Sequence, residues 1–555
     1  MSDHDEDRSR PGRRDFLRGV TAAGLAAALP GCDDGEVPLD DDAGTDAGPL
    51  APPDAGPPPG PVPPRERSYA TFEHGVASGD PLPNGVILWT RVTPGMPGDP
   101  DPGTVEVTVE VARDVGFGTV DLTETVTTDA SRDFTVKLDR DLLDPATTYY
   151  YRFSALGDTS PIGRTRTAPD GPVDRLRLAI CSCASLGHGF LHGYGKIAAR
   201  ADLDAVVHLG DYIYEYGNLQ YGNAREYEPA TEIIALDDYR ARFSQYRREP
   251  ELAEAHRQHP FITIWDDHET ANNSWRGGAE NHDPDEGAWA DRLAAATQAY
   301  REWMPIRDGA DPAQLWRKLG YGELLDLIVV DTRIWGRDEE LPRLDAPGVD
   351  DEARQLLGAD QEAWLIEQLS TSTARWKLIG NQVMIAPIIT GFANPDQWDG
   401  YPAARARVLG AVESGGVSDV VVLTGDIHSS WAFDLPADVT TYDPDTGAGA
   451  VGVELVTPGI SSPGFPDIGA DRLAMSLMDQ NPHLTWAQLT RRGYVVLDLD
   501  ESRMQADWYF TGDVEDETDT SEMFAKGVST ATGASHLVDA PVPADDAPDA
   551  PPLAP

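Results

Sequence analysis

The sequence predicts an α/β chain in two parts: a small β-sandwich, then a larger layered β-sandwich core with flanking helices. Three observations carry this. Between Ser68 and Arg166, short β-rich runs alternate with turn residues. From Leu176 onward, apolar strand candidates are separated by helical stretches. Four of those later strands run directly into polar motifs, and in layered sheets ligands gather beyond the carboxyl ends of strands.

The elements follow in order. Residues 1–32 read as an address: Arg13-Arg14-Asp15-Phe16-Leu17 precedes an apolar run too short for a bilayer, which needs about 20 residues. That is a twin-arginine signal peptide, ending in Leu29-Pro30-Gly31-Cys32. This ending resembles a lipoprotein processing site, which would anchor the chain in a membrane through lipid on Cys32; the alternative is an ordinary cleavage elsewhere. Residues 33–66 are Asp, Ala, Gly and Pro with little to bury, and are expected to be a disordered linker. Residues 67–168 form the β-sandwich, with strands such as 86–92, 105–111 and 149–153. The stretch Leu143-Asp144-Pro145 with Tyr149-Tyr150-Tyr151 resembles the corner of fibronectin/Ig-like sandwiches, where a tyrosine hydroxyl bonds back to the chain. Residues 174–512 form the larger domain, with strands at 176–180, 205–209, 261–265, 325–330, 376–379 and 420–423 and helices at 194–201 and 288–303. Residues 536–555 resemble the linker in composition and are expected to be a disordered tail.

Charge narrows the function. Lys+Arg 44 against Asp+Glu 94 gives a net charge of -50, which argues against nucleic-acid binding other than as a substrate. Such acidity is ordinarily solvated surface, yet it repels anionic substrates, so a phosphate site needs concentrated local positive charge such as bound cations supply. Cys32, Cys181 and Cys183 form no disulfide framework.

The loaded strand ends are Cys181-Ser182-Cys183, then Gly210-Asp211-Tyr212-Ile213-Tyr214, then Trp265-Asp266-Asp267-His268-Glu269 with Asn272 and Asn273, and finally Gly425-Asp426-Ile427-His428-Ser429-Ser430-Trp431. Each motif alone has a bland reading: a turn, a solvated acidic run, a hydrogen-bonded structural histidine. Their joint occurrence at successive strand tips, which are rigid mounts, points to a metal site.

In this order the motifs resemble the metallophosphoesterases, and in detail the PhoD-like alkaline phosphatase/phosphodiesterase family. Gly75-Val76-Ala77-Ser78-Gly79-Asp80-Pro81, Leu88-Trp89-Thr90-Arg91, Val330-Asp331-Thr332-Arg333 and Gly380-Asn381-Gln382-Val383 resemble it too, so the likeness spans residues 70–510. The resemblance, with ligand chemistry, implies Fe3+ held by Cys183, Tyr214 and His428, since thiolate and phenolate suit a ferric ion. It implies Asp211 as a bridge, and Ca2+ on the oxygen donors Asp267, Asp426 and Asn272, with Asn273 competing for the last place. Cys181 is read as buried packing. The expected chemistry is hydrolysis of phosphate esters by a metal-held hydroxide, with His268 as general acid. Arg333 is either a phosphate contact or a structural ion pair. Loops 217–230 and 390–401 would line the leaving-group pocket but carry no readable code. Two alternatives stand beside this: a phospholipase D-like phosphodiesterase acting on lipids or wall polymers, and a surface-tethered non-catalytic binding protein. The leader implies export by the twin-arginine machinery to a periplasmic or cell-surface location. Natural substrate and oligomeric state are not encoded in any motif.

Overall fold

Along the strand Leu325–Val329, Leu327 and Val329 enter one apolar core while Ile328, with Val330 beyond it, enters another. This two-residue alternation buries both faces of the sheet at that strand. The computed structural model describes residues 60–389 and 393–555. The leader, Cys32 and the linker up to residue 59 lie outside the described residues.

Among the described residues, a ten-stranded sheet runs Val538–Asp539, Glu522–Ala531, Arg503–Thr511, Gly493–Asp500, Arg175–Cys181, Ala205–His208, Pro260–Thr263, Val76–Leu82, Gly85–Arg91 and Thr135–Arg140. A seven-stranded sheet runs Arg317–Tyr321, Leu325–Val329, Trp376–Gly380, Val420–Thr424, Ala450–Val456, Ser430–Pro436 and Leu484–Gln488. Both are mixed, with parallel centres. Leu178 and Ile180 of the first sheet share a core with Leu327, Leu378, Leu423 and Leu455 of the second. Two indoles stitch the layers: Trp376 donates to the Asp500 carbonyl at 2.8 Å and Trp508 to the Val456 carbonyl at 3.1 Å. The helices Ala359–Thr371 and Pro402–Gly415 cover the outer face of the seven-stranded sheet through Leu365, Leu369, Val408 and Val412. No helix among the described residues is long and apolar enough to cross a membrane.

The N-terminal β-rich region is hydrogen-bonded into the larger domain's sheet. Its strand Val76–Leu82 pairs in parallel with Pro260–Thr263, Ser78 opposite Pro260, so three N-terminal strands extend the ten-stranded sheet. Val76, Val86 and Leu88 face the core of a third, five-stranded sheet built from Val105–Ala112, Val120–Thr128, Thr148–Ala155, Asp158–Thr159 and Gly163–Arg166, whereas Ala77 and Trp89 turn into the main core. That smaller sheet keeps its tyrosine corner, the Tyr149 hydroxyl accepting from the Asp144 amide at 2.9 Å.

The end of the linker is pinned: the Val62 amide donates to the Ala224 carbonyl and its carbonyl accepts from the Glu226 amide, each at 2.8 Å. The tail from 536 is also seated. Gln258 exchanges bonds with the Ala554 backbone at 2.9 and 3.0 Å, the Tyr150 hydroxyl donates to the Pro552 carbonyl at 2.6 Å, and Asp546 pairs with Arg177 at 3.0 Å. Composition misleads here because proline-rich chain needs no donors of its own. Its carbonyls accept from donors the folded surface supplies.

Candidate metal centre

The parallel strands Arg175–Cys181, Ala205–His208, Pro260–Thr263 and Val420–Thr424 all deliver their following loops to one place. Close backbone approach makes the two Gly-Asp motifs obligatory. A Cβ on Gly210, whose φ is +106°, would sit 2.4 Å from the Asp266 Cβ. One on Gly425 would sit 2.8 Å from the Ser182 hydroxyl. Immediately beyond, Cys183, Asp211, Asp426 and His428 adopt left-handed backbone with φ of 59°, 55°, 60° and 55°. Each such non-glycine residue costs about 1–3 kcal/mol, against a total stability of about 5–15 kcal/mol. Four together persist only because the loops over-determine them. The Cys183 amide donates to the Gly210 carbonyl at 3.1 Å and the Ala184 amide to the Asp211 carbonyl at 2.9 Å.

The donors converge. Ligand atoms of Cys183, Asp211 and His428 lie within 4.8 Å of one another; so do those of Asp211, Asp267 and His268, and those of Asp266, Asp267 and Asp426. Asp211 belongs to the first two trios and Asp267 to the last two, an arrangement in which each carboxylate can bridge neighbouring cations. Tyr214 joins the first trio, its hydroxyl 3.0 Å from Asp211 Oδ2, 3.2 Å from His428 Nε2 and 2.6 Å from Ser462 Oγ. All these groups are buried. Buried polar atoms without hydrogen-bond partners include Asn272 Oδ1, His268 Nε2 and Asp266 Oδ2. Such orphans are expensive unless something further satisfies them.

Electrostatics favours cations at the same place. Burial, then the Asp211 carboxylate, pushes the Cys183 thiol and the Tyr214 phenol well above their ordinary ranges. Both would ionise only beside added positive charge. Asp266 is also raised, because burial and its neighbour Asp267 outweigh Arg333. The residues present therefore fit a cluster of metal ions: soft and phenolic donors on one side, carboxylates and an amide oxygen on the other.

His268 is held differently. Its Nδ1 meets Glu215 Oε2 at 2.7 Å. Burial opposes its charge, but Asp267, Glu215 and Asp211 overcome burial and raise it to about 10. Its ring lies 4.2 Å from that of Tyr214 and 5.4 Å from that of Tyr216. Asn272 is buried, its amide nitrogen 2.9 Å from Glu280, whereas Asn273 donates its backbone N–H to Asp267 at 2.7 Å and turns its side chain to Glu280 and Glu340.

Arg333 is buried and paired with carboxylates in this structure. Its three guanidinium nitrogens are spent on Asp266 at 2.5 Å, Asp396 at 2.6 Å and Asp426 at 2.9 Å. Among so many buried carboxylates, an arginine is held by charge before substrate arrives. Cys181 packs in the apolar core.

Sequence reasoning misses several supporting residues. Glu269 accepts from the amides of Asp211, Tyr212 and Asp266 at 3.1, 2.6 and 2.9 Å, bracing two motif loops with one carboxylate. Glu215 orients His268 and also accepts from the Asn272 amide at 2.7 Å. Both are visible as acids in or beside the motifs. Asp396, which pairs with Arg333 and Arg337, carries no local signal.

A family model described as PhoD-like phosphatase matches residues 178–508, and one described as PhoD-like phosphatase, N-terminal domain, matches residues 59–169. Alkaline phosphatase D of Bacillus subtilis (strain 168) is 39% identical over 467 residues, covering 79% of this chain and 77% of that protein. A solved structure titled "Structure of PhoD" superposes with a TM-score of 0.78 at 35% identity, covering 86% of this chain and 93% of that one. Purple acid phosphatase PPD1 from yellow lupin (Lupinus luteus) shares the fold, with a TM-score of 0.53 at 14% identity over 82% of this chain and 73% of its own.

Proposed function

This chain belongs to the PhoD-like phosphatase family and is a phosphoric ester hydrolase, and we propose that it is an exported, metal-dependent enzyme acting on phosphate monoesters, diesters or both. The observation that carries the reading is the convergence of Cys183, Asp211, Tyr214, Asp267, Asp426 and His428 at linked, bridged donor sets.

Cys183, Tyr214 and His428 would hold iron, Asp211 would bridge, and Asp267, Asp426 and Asn272 would hold calcium. When bound, such cations activate water and neutralise phosphoryl charge. The chain's own residues do the rest. Glu269 fixes the Asp211 and Asp266 loops by three backbone bonds, so the donors need no rearrangement. Glu215 keeps a proton on His268 and aims Nε2 away from itself, leaving Nε2 to protonate the departing alkoxide. Arg333 prevents mutual repulsion of Asp266, Asp396 and Asp426 from opening the site.

The leader supports export by the twin-arginine route and retention by lipid on Cys32, placing the enzyme in the periplasm or at the cell surface. Membrane fractionation of Cys32→Ala tests this, since release of the variant is expected and unchanged retention contradicts it. The function itself is tested by assaying protein from its native host with p-nitrophenyl phosphate and bis-p-nitrophenyl phosphate. Turnover that falls on chelation and returns with metal is expected. No turnover of either ester, or turnover indifferent to chelation, overturns the reading. Turnover of diesters alone would instead favour a phospholipase D-like activity.

A further inference from the structure

A leaving alcohol departs on the side of the group that protonates it, and we infer that Tyr216 and Tyr221 form the wall it lies against, favouring esters that carry a flat ring on the leaving oxygen. The inference rests on the phosphoesterase reading above and names a substrate class within it.

Distances place both rings beside the proposed acid. The Tyr216 ring centroid lies 5.4 Å from that of His268, and the Tyr221 centroid lies 6.1 Å from it with the ring planes 24° apart. The two tyrosine rings are 5.0 Å from each other. Tyr221 also stacks on Tyr214 at 5.4 Å, with planes 17° apart, so the wall runs on into the donor cluster. His268 and Tyr214 are fully buried, whereas Tyr216 and Tyr221 are half-buried and keep part of their rings at the surface. A group bonded to the oxygen that takes the His268 proton therefore meets these two rings.

The wall is held in place by its own loop. His188 meets Tyr221 edge-on at 4.4 Å and is itself tied through Nδ1 to Ser185 Oγ at 2.9 Å. The turn between the tyrosines is closed by the Gly217 amide donating to Gln220 Oε1 at 2.6 Å. It is strapped by the Asn218 amide on the Ala230 carbonyl at 2.8 Å and the Tyr227 amide on Asn218 Oδ1 at 2.6 Å. Gly222, with φ of +85°, packs so tightly that a Cβ there would sit 2.3 Å from the Gly187 carbonyl oxygen. Rings fixed before substrate arrives lose little freedom on binding, and tyrosine offers a large flat surface with few rotatable angles. A planar leaving group can stack on such rings in offset or edge-on geometry, which an open-chain polyol cannot do. A neutral ring is also indifferent to the net charge of -50.

The experiment compares 1-naphthyl phosphate with glycerol 1-phosphate, and the methyl diester of each, on the native enzyme and on Tyr216→Leu, Tyr221→Leu, Tyr216→Phe and Tyr221→Phe. Metal content, Tm and inhibition by inorganic phosphate are recorded alongside. Loss of one stacked ring is expected to lower kcat/KM for the naphthyl esters about 5–30-fold. The glyceryl esters should fall several-fold less, both Phe variants should recover most of the naphthyl activity, and metal content and phosphate inhibition should hold. Equal falls on naphthyl and glyceryl esters, no fall on either, or a fall matched by lost metal each overturn the wall, since a ring that merely braced Tyr214 or His268 would affect every ester alike. A native enzyme that turns over none of the four esters would instead overturn the phosphoesterase reading itself.

Discussion

At the scale of single residues, the site is governed by what each buried carboxylate does for its neighbour. Glu215 is the sharpest case, because it is bonded to the one imidazole nitrogen that chemistry does not require. Glu215 is among the charges that hold His268 above its ordinary range, so the proton is present at neutral pH and lost as pH rises through that raised value. Activity requiring a protonated His268 therefore has an alkaline limb. Glu215→Gln removes one of the charges that raise it, and the limb should move to lower pH by about one unit or more. A pH–rate profile in which the limb stays put would show that another group sets it. Several of these residues are legible from the sequence alone, because Asp211, Asp267, Asp426 and His428 occupy recognisable motifs at strand ends. Arg333 is not. Nothing local distinguishes an arginine that meets substrate from one enclosed by Asp266, Asp396 and Asp426, since all three partners come from other loops.

At the scale of elements, strands are readable where they are buried on both faces, as in Val420–Thr424, whose apolar run ends in a glycine. The late strands Gly493–Asp500 and Arg503–Thr511 are harder to read, although they flank the central strands. Polar residues interrupt their apolar pattern, among them Asp498, which is buried against Arg175 and Arg177. The tail misleads for the opposite reason: its composition is that of free chain, but its order comes from partners elsewhere. Gln258, Tyr150, Arg257 and Arg164 donate to its carbonyls. Deleting residues 545–555 should cost about 2–5 kcal/mol through these lost bonds and leave KM unchanged. Thermal unfolding and kinetics on the shortened chain check this, and an unchanged Tm would mean that the seated tail adds no stability.

At the scale of the whole molecule, charge is the main physical burden on function. A chain of -50 repels an anionic ester at a distance, while the positive charge of the proposed centre acts only nearby. Raising ionic strength from about 10 mM to about 150 mM shortens the Debye length from about 30 Å to about 8 Å. It should therefore increase kcat/KM for an anionic monoester, the gain lying mainly in association. A fall with added salt would mean that the local field of the centre dominates even at long range. At the same scale, the N-terminal β-rich region and the larger domain share one sheet. Val76–Leu82 is hydrogen-bonded to Pro260–Thr263, the strand that leads into the Asp266-Asp267-His268 loop, so the site is mounted on a sheet drawn from both halves of the chain.

The proposed chemistry stands on the donors acting together upon metal. Metal analysis and turnover of Cys183→Ser, purified beside the native enzyme from the same host, test this most directly. Iron and activity should be lost in parallel while the fold is kept. Full iron with full turnover in the variant would contradict the assignment of this thiolate, and with it the centre proposed around it.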